Sequence, residues 1–275
     1  MRILIIRHGD PDYEKDSLTQ KGWHEAELLA DKMEKTDVTA FYVSPLGRAQ
    51  DTASVTLKRL GRSAKTYHWL REFHAPIYDK KTKKLRGPWD LMPSFFTKED
   101  DLYDVKKWAD TEFMKQGRVK QEYRKVSQGL DKVLKAHGYE RKDKYYKAVN
   151  ANKDTIVFFC HFGVECVMLS HLLNISPVCL WQGFCAAPTS VTTLYTEERE
   201  KGIAVWRCSS FGDISHLYAG NEEPAFAARF CEIYDDMSDR KSTRLKKWGC
   251  KNFSFLQPRF ILYFILTYLS LSIII

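Results

Sequence analysis

The chain has 275 residues, 44% of them hydrophobic, with 43 lysines and arginines against 35 acidic residues and a formal charge of +8. That balance is ordinary for a globular protein with a sizeable core, and it excludes a disordered or collagen-like chain. The positive excess suits an anionic ligand, but no zinc-finger spacing or aromatic-basic RNA-binding signature accompanies it, so no nucleic-acid partner is expected.

The first element is the apolar, β-branched run Arg2-Ile3-Leu4-Ile5-Ile6, which stops at Arg7-His8-Gly9. It reads as a buried strand delivering an arginine and a histidine to a turn at its C-terminal end. Because the chain opens directly on this strand, no signal peptide is expected. A helix pattern starts near Thr19, its cap, with Trp23, Ala26, Ala30 and Met33 on one face. Ala40 to Val43 is a short strand ending at Ser44-Pro45, and a second helix runs from about Leu46 to Leu60, with Gly61 as its stop. Ala64 to Leu70 reads as a third strand ending at Arg71-Glu72.

Residues 73 to about 112 break the rhythm with Pro76, Pro88 and Pro93, the basic run Lys80 to Lys84, and the aromatics Trp89, Phe95 and Phe96. An insertion over one edge of the sheet is expected, largely irregular with short helices. A long helix follows from about Glu112 to Ala136, ended by Gly138. Thr155 to Cys160 is a continuous apolar strand of the kind found at the centre of a parallel sheet, and it leads into His161-Phe162-Gly163 and a helix to Leu173. Ser190 to Tyr195 and Ile203 to Cys208 are two late strands joined by the polar loop Thr196 to Gly202.

Seven cysteines without a C-x-x-C pair argue against a disulfide framework or a structural zinc. Cys160, Cys166 and Cys179 sit in apolar runs, as buried thiols do in a reducing compartment, so the body of the protein is expected to be cytoplasmic. The sequence divides into a domain over residues 1–235, a polar and basic linker over 236–259 and an uncharged apolar tail over 260–275. As a helix that tail covers about 24 Å, short of the roughly 30 Å hydrocarbon core. A non-functional apolar extension is therefore expected, with a tail anchor flanked by Lys246, Lys247, Lys251 and Arg259 as the alternative and the only expected route to membrane contact.

Arg7 and His8, Arg48, Glu72 and His161 all fall at or just beyond the C-terminal end of a predicted strand. If those strands are neighbours in one mostly parallel sheet, the groups converge on one rim, the edge where open α/β sheets bind ligands. Each taken singly has an ordinary structural explanation. Together they fit phosphoryl chemistry: arginine forks for phosphate oxygens, a histidine nucleophile at His8, a donor at His161 beside helix-start amides, and a carboxylic proton donor at Glu72. Lys80 to Lys84 with Arg86 are candidates for reading further acidic groups on the substrate.

Other phosphoryl-transfer patterns fit less well. Asp10-Pro11-Asp12 has the spacing of a magnesium-dependent aspartyl nucleophile, but Glu14 stands where a Thr or Val belongs. No cysteine is followed by arginine at the Cys-x5-Arg spacing. The histidines lack H-x-H or H-x-x-x-H spacing, and no metal or other cofactor is expected.

Arg7-His8-Gly9, Leu18-Thr19-Gln20-Lys21-Gly22, the stretch Ser44 to Ala53, Leu70-Arg71-Glu72 and His161-Phe162-Gly163 resemble the histidine phosphatase superfamily, the phosphoglycerate mutase-like group. The resemblance spans about residues 1 to 235. It implies a three-layer α/β/α sandwich with a mostly parallel central sheet, a phosphohistidine on His8, and a phosphate pocket of Arg7, Arg48 and His161. It also implies Glu72 as proton donor and no metal. Mutase members carry a phosphate-contacting asparagine seven positions after the first arginine; here that residue is Glu14. Hydrolysis of a small phosphorylated metabolite is therefore expected ahead of mutase-type transfer or of a non-catalytic phosphate-binding module.

Overall fold

The computed structural model describes residues 1–79, 83–225 and 233–235. Lys80, Lys81 and Thr82 of the basic run, the 236–259 linker and the 260–275 tail lie outside the described residues. Eight strands form one sheet: β1 (Arg2–Arg7), β2 (Ala40–Val43), β3 (Lys65–Thr66), β4 (Tyr139–Lys142), β5 (Tyr145–Ala148), β6 (Thr155–Cys160), β7 (Val191–Glu200) and β8 (Ile203–Asp213). Their order is β3-β2-β6-β1-β7-β8-β5-β4. The half running from β3 to β1 is parallel, and from β1 onward the pairings are antiparallel.

Five helices cover the sheet: α1 (Gln20–Met33), α2 (Gly47–Leu60), α3 (Val119–Ala136), α4 (Phe162–Leu173) and α5 (Pro177–Gly183). The central strands are apolar through Ile3–Ile6 and Ile156–Phe159 because both faces are covered there. Leu4, Ile6, Val157 and Phe159 point to one side, where Leu29 and Met33 of α1 and Ala53 of α2 meet them. Ile3, Ile5, Ile156 and Phe158 point to the other and pack with Leu130 and Val133 of α3 and Val164 and Val167 of α4. Each such residue removed from water stabilises by roughly 1.5–3 kcal/mol. The result is the expected α/β/α sandwich.

Several boundaries differ from expectation. The third strand is only Lys65–Thr66 and then becomes a tight turn, His68–Leu70. Tyr67 and Trp69 leave the sheet edge to join a run of rings over its face, with Tyr42–Tyr67 centroids at 5.6 Å and Trp69–Phe158 at 6.0 Å. The helix expected from Glu112 is split into Glu112–Lys115 and α3. A side chain at Gly117, between the pieces, would meet Ile77 at 2.9 Å and the Pro76 carbonyl at 3.0 Å. The late strands run on to Glu200 and from Ile203, so the loop shrinks to a turn at Lys201-Gly202, with φ +83 at the glycine. The hairpin β4–β5 was not foreseen.

The insertion contains a small hairpin, Ile77–Asp79 with Lys84–Arg86, a short helix Pro93–Phe96 and several single turns. It packs on the helical layer rather than over the sheet edge. Trp108 lies edge-on to Trp181 at 5.8 Å, and Ser176 donates to the Leu102 carbonyl at 2.6 Å. Cys160 and Cys166 are buried free thiols, and Cys179 is half-buried. No helix among the described residues is long and apolar enough to cross a membrane.

Candidate active site

Strand register brings the two histidines together. In β1 and β6 Arg7 lies beside Cys160, and Phe159 lies beside Val43 of β2, so β1 and β6 end level and β2 ends one residue sooner. The next residues along the rim are His8, His161 and Ser44. The His8 amide donates to the Cys160 carbonyl at 3.0 Å and the Ser44 amide to Phe159 at 2.9 Å. The two imidazole centroids are then 5.1 Å apart, about one strand spacing.

Hydrogen bonds fix the proton positions. His8 Nδ1 lies 2.7 Å from the Gly9 carbonyl. A carbonyl only accepts, so Nδ1 carries the proton and Nε2 keeps its lone pair. Burial, then the charges of Arg7 and Arg48, hold the His8 pKa well below the usual histidine range, so the ring is neutral. His161 Nε2 lies 2.8 Å from Ser44 Oγ, which already accepts from the Leu46 amide at 3.3 Å. In the tautomer in which the serine proton goes to Nε2, Nδ1 is the N–H of a neutral ring. Burial, His8 and the nearby arginines keep His161 neutral as well.

The arginines arrive from different elements. Arg7 ends β1 and donates through one terminal nitrogen to the Ala186 carbonyl at 2.5 Å. Arg48 sits in the first turn of α2 and pairs with Asp16 at 2.5 Å, while the Gly47 amide binds the other Asp16 oxygen at 2.7 Å. Arg7 Nε, Arg48 Nε and His161 Nδ1 are all buried and have no hydrogen-bond partner among the described residues. Three such donors around one imidazole lone pair is an unusual concentration, since buried polar groups are normally satisfied.

Glu72 reaches the same place from the turn after β3. Its carboxylate accepts from the amides of Phe73 (2.7 Å), Val164 (3.1 Å) and Gly163 (3.4 Å). The helix-start amides after His161, expected to favour phosphate, therefore hold the glutamate instead. Gly163 makes this approach possible: a Cβ there would stand 2.6 Å from Glu72 Oε1. Burial raises the Glu72 pKa, and the backbone donors, Arg48 and Arg7 oppose the rise.

The second glycine of the early motifs has a similar explanation. A Cβ on Gly22 would lie 2.3 Å from the Asp10 carbonyl, so the turn after His8 presses directly on α1. Glu25, fully buried on α1, accepts from the Asp10 amide at 2.8 Å, and its pKa is pushed up to about 7 by burial.

The candidate residues Arg7, His8, Arg48, Glu72 and His161 thus share one neighbourhood. Arg86 does not join it: Asp79 and Asp90 occupy its guanidinium at 3.0 and 3.4 Å. Glu14 is exposed on the hairpin that follows Gly9. Sequence reasoning missed Tyr13, Asp16, Ser44 and Glu165. Ser44 was visible as the residue directly after β2, whereas no local pattern marks Asp16 or Tyr13 as partners of Arg48.

The model of the histidine phosphatase superfamily (branch 1) matches residues 3–209. The chain belongs to that superfamily. Among the relatives of this histidine phosphatase, it is 28% identical to the serine/threonine-protein phosphatase Pgam5, mitochondrial, of Caenorhabditis briggsae, over 78% of this chain and 64% of that protein. It is also 28% identical to a probable phosphoglycerate mutase GpmB of Photorhabdus laumondii, over 30% of this chain and 42% of that one. The matches thus span less than two thirds of these relatives. A phosphoserine phosphatase mutant of Entamoeba histolytica bound to phosphoserine shares the fold, with TM-score 0.54, 19% identity, and 78% of this chain and 98% of that chain covered. A mycobacterial glucosyl-3-phosphoglycerate phosphatase does so at TM-score 0.53 and 18% identity, with 77% and 98% covered.

Proposed function

We propose that this chain hydrolyses small phosphate monoesters through a phosphohistidine on His8, without a metal ion. The observation that carries the reading is the set of three buried, unpartnered donors on Arg7, Arg48 and His161 beside a neutral His8 whose Nε2 lone pair is unengaged. A phosphoryl dianion supplies the missing acceptors and places phosphorus before that lone pair.

In the first step His8 Nε2 bonds to phosphorus as the ester O–P bond breaks, and protonated Glu72 gives its proton to the departing oxygen. In the second step water attacks phosphorus, Glu72 takes a proton from it, the N–P bond breaks and phosphate leaves. Arg7 and Arg48 neutralise the equatorial oxygens throughout, the task a metal would otherwise perform. The phosphatase names among the relatives and fold neighbours support hydrolysis. So does exposed Glu14, in place of the mutase asparagine.

The test is a brief incubation with a 32P-labelled monoester in the presence of a chelator, followed by a quench in neutral detergent and then separate acid and base treatments. Turnover should persist, and an acid-labile, base-stable phosphoenzyme should map to His8; label on an aspartate, or activity that vanishes with the chelator, overturns the reading. Glu72→Gln should lower kcat about 10²–10⁴-fold on alkyl phosphates, with a smaller loss on p-nitrophenyl phosphate, whose leaving group needs no proton. Because Glu72 acts protonated with a raised pKa, kcat should fall as pH rises through that pKa. This limb should be absent from the variant's pH profile.

A further inference from the structure

The hairpin between Gly9 and α1, with Pro11–Asp12 paired to Ser17–Leu18, folds back over Arg48. Asp16, at φ +49, holds the guanidinium from this hairpin, and the Tyr13 ring lies over the same group, 5.4 Å from ring centroid to the guanidinium carbon. Tyr13 is 51% exposed, so the residue stands at the mouth of the site rather than in its floor. Its hydroxyl nevertheless lies within the fields of Arg7, Arg48, Glu72 and Asp10, and its desolvation raises the phenol pKa, so it remains a hydrogen-bond donor. The ring thus lies against the guanidinium of Arg48, one arm of the proposed phosphate clamp, on its exposed side. A substrate whose phosphate is held by Arg48 carries its carbon chain outward past this phenol.

We propose that Tyr13 is the specificity-determining residue of the site. Its hydroxyl donates to an oxygen on the carbon next to the ester-bearing carbon, and so selects hydroxylated or carboxylated alkyl phosphates over plain alkyl phosphates. The inference rests on the proposed roles of His8 and Glu72. Phenylalanine keeps the ring over Arg48 and removes only the donor, which separates selection from a supporting role for the ring.

The experiment compares glycerol 1-phosphate with propyl phosphate, which differ in hydroxyls along the same three-carbon chain. The wild-type protein should favour glycerol 1-phosphate about tenfold or more in kcat/KM, the scale of one directed hydrogen bond. Tyr13→Phe should bring the ratio to within about twofold. The same two esters are titrated calorimetrically into His8→Ala and into His8→Ala/Tyr13→Phe, where the affinity difference should be present and then lost. A preference that survives Tyr13→Phe, or no preference in the wild type, overturns the proposal. Selective binding that needs the Tyr13 hydroxyl, without any His8-dependent turnover, would retain Tyr13 and overturn the hydrolase reading instead. Failure of both esters to bind overturns both.

Discussion

His8→Ala should reduce phosphatase turnover by at least about 10³-fold, the scale of loss when a covalent nucleophile is removed. Binding of inorganic phosphate should survive the change, because the donors on Arg7, Arg48 and His161 come from other residues. The contrast is the informative part. A histidine that merely helped to hold phosphate would weaken binding and turnover together, whereas a nucleophile takes turnover alone. Steady-state kinetics beside calorimetric titration with phosphate separates the two. Comparable turnover in wild type and variant would remove His8 from the chemistry.

The second large effect concerns stability. Glu165 lies on α4, one turn after His161, and is 1% exposed. Burial pushes its pKa up to about 7, with Thr192 and Arg7 opposing the rise. In the unfolded chain the same carboxyl titrates near 4.5. Between those values the native state binds the extra proton, so its stabilising effect is complete below about pH 4.5 and lost as pH rises through about 7. The shift corresponds to roughly 3 kcal/mol, and Glu25, with the same direction and similar burial, contributes comparably. Urea unfolding at pH 5, 6, 7 and 8 compares wild type with Glu165→Gln, because His8 and His161, whose pKa values are held low, pull stability the opposite way in both proteins. The stability of the wild type relative to the variant should fall by roughly 3 kcal/mol as pH rises across this range, since an amide has no proton to lose. An unchanged slope would mean that the carboxyl is not held protonated in the native state.

The legible parts of this fold were those in which local pattern and burial agree. Thr155–Cys160 reads as a central strand because all six positions are buried, and a continuous apolar run has few other uses. The strand pair β4–β5 was illegible for the opposite reason. Tyr139-Glu-Arg-Lys-Asp-Lys-Tyr-Tyr-Lys looks like a charged loop, and only Tyr139 and Tyr146, packed against Trp206 at 6.2 and 6.1 Å, face inward. Its turn uses Asp143 at φ +52, which gives no glycine signal. At the site, His8 and His161 could be placed side by side because each directly follows a recognisable buried strand. Glu72 was also assigned to the rim, but by way of a strand that ends sooner than expected; an aromatic stack and three backbone donors bring it there. Asp16 was invisible because its tie to Arg48 spans 32 positions and depends on how a surface hairpin folds back.

The anchoring of Glu72 also bears on how such proteins diversify. The excursion over residues 73–112 departs one position after the glutamate, yet the carboxylate is moored to amides of α4, a helix outside that excursion. Loops of different length and make-up can therefore be grafted at this point while the carboxyl proposed as proton donor stays in register with His161. The proposed chemistry and this excursion are thus encoded in separable stretches of chain, and selection can rewrite the second without disturbing the first.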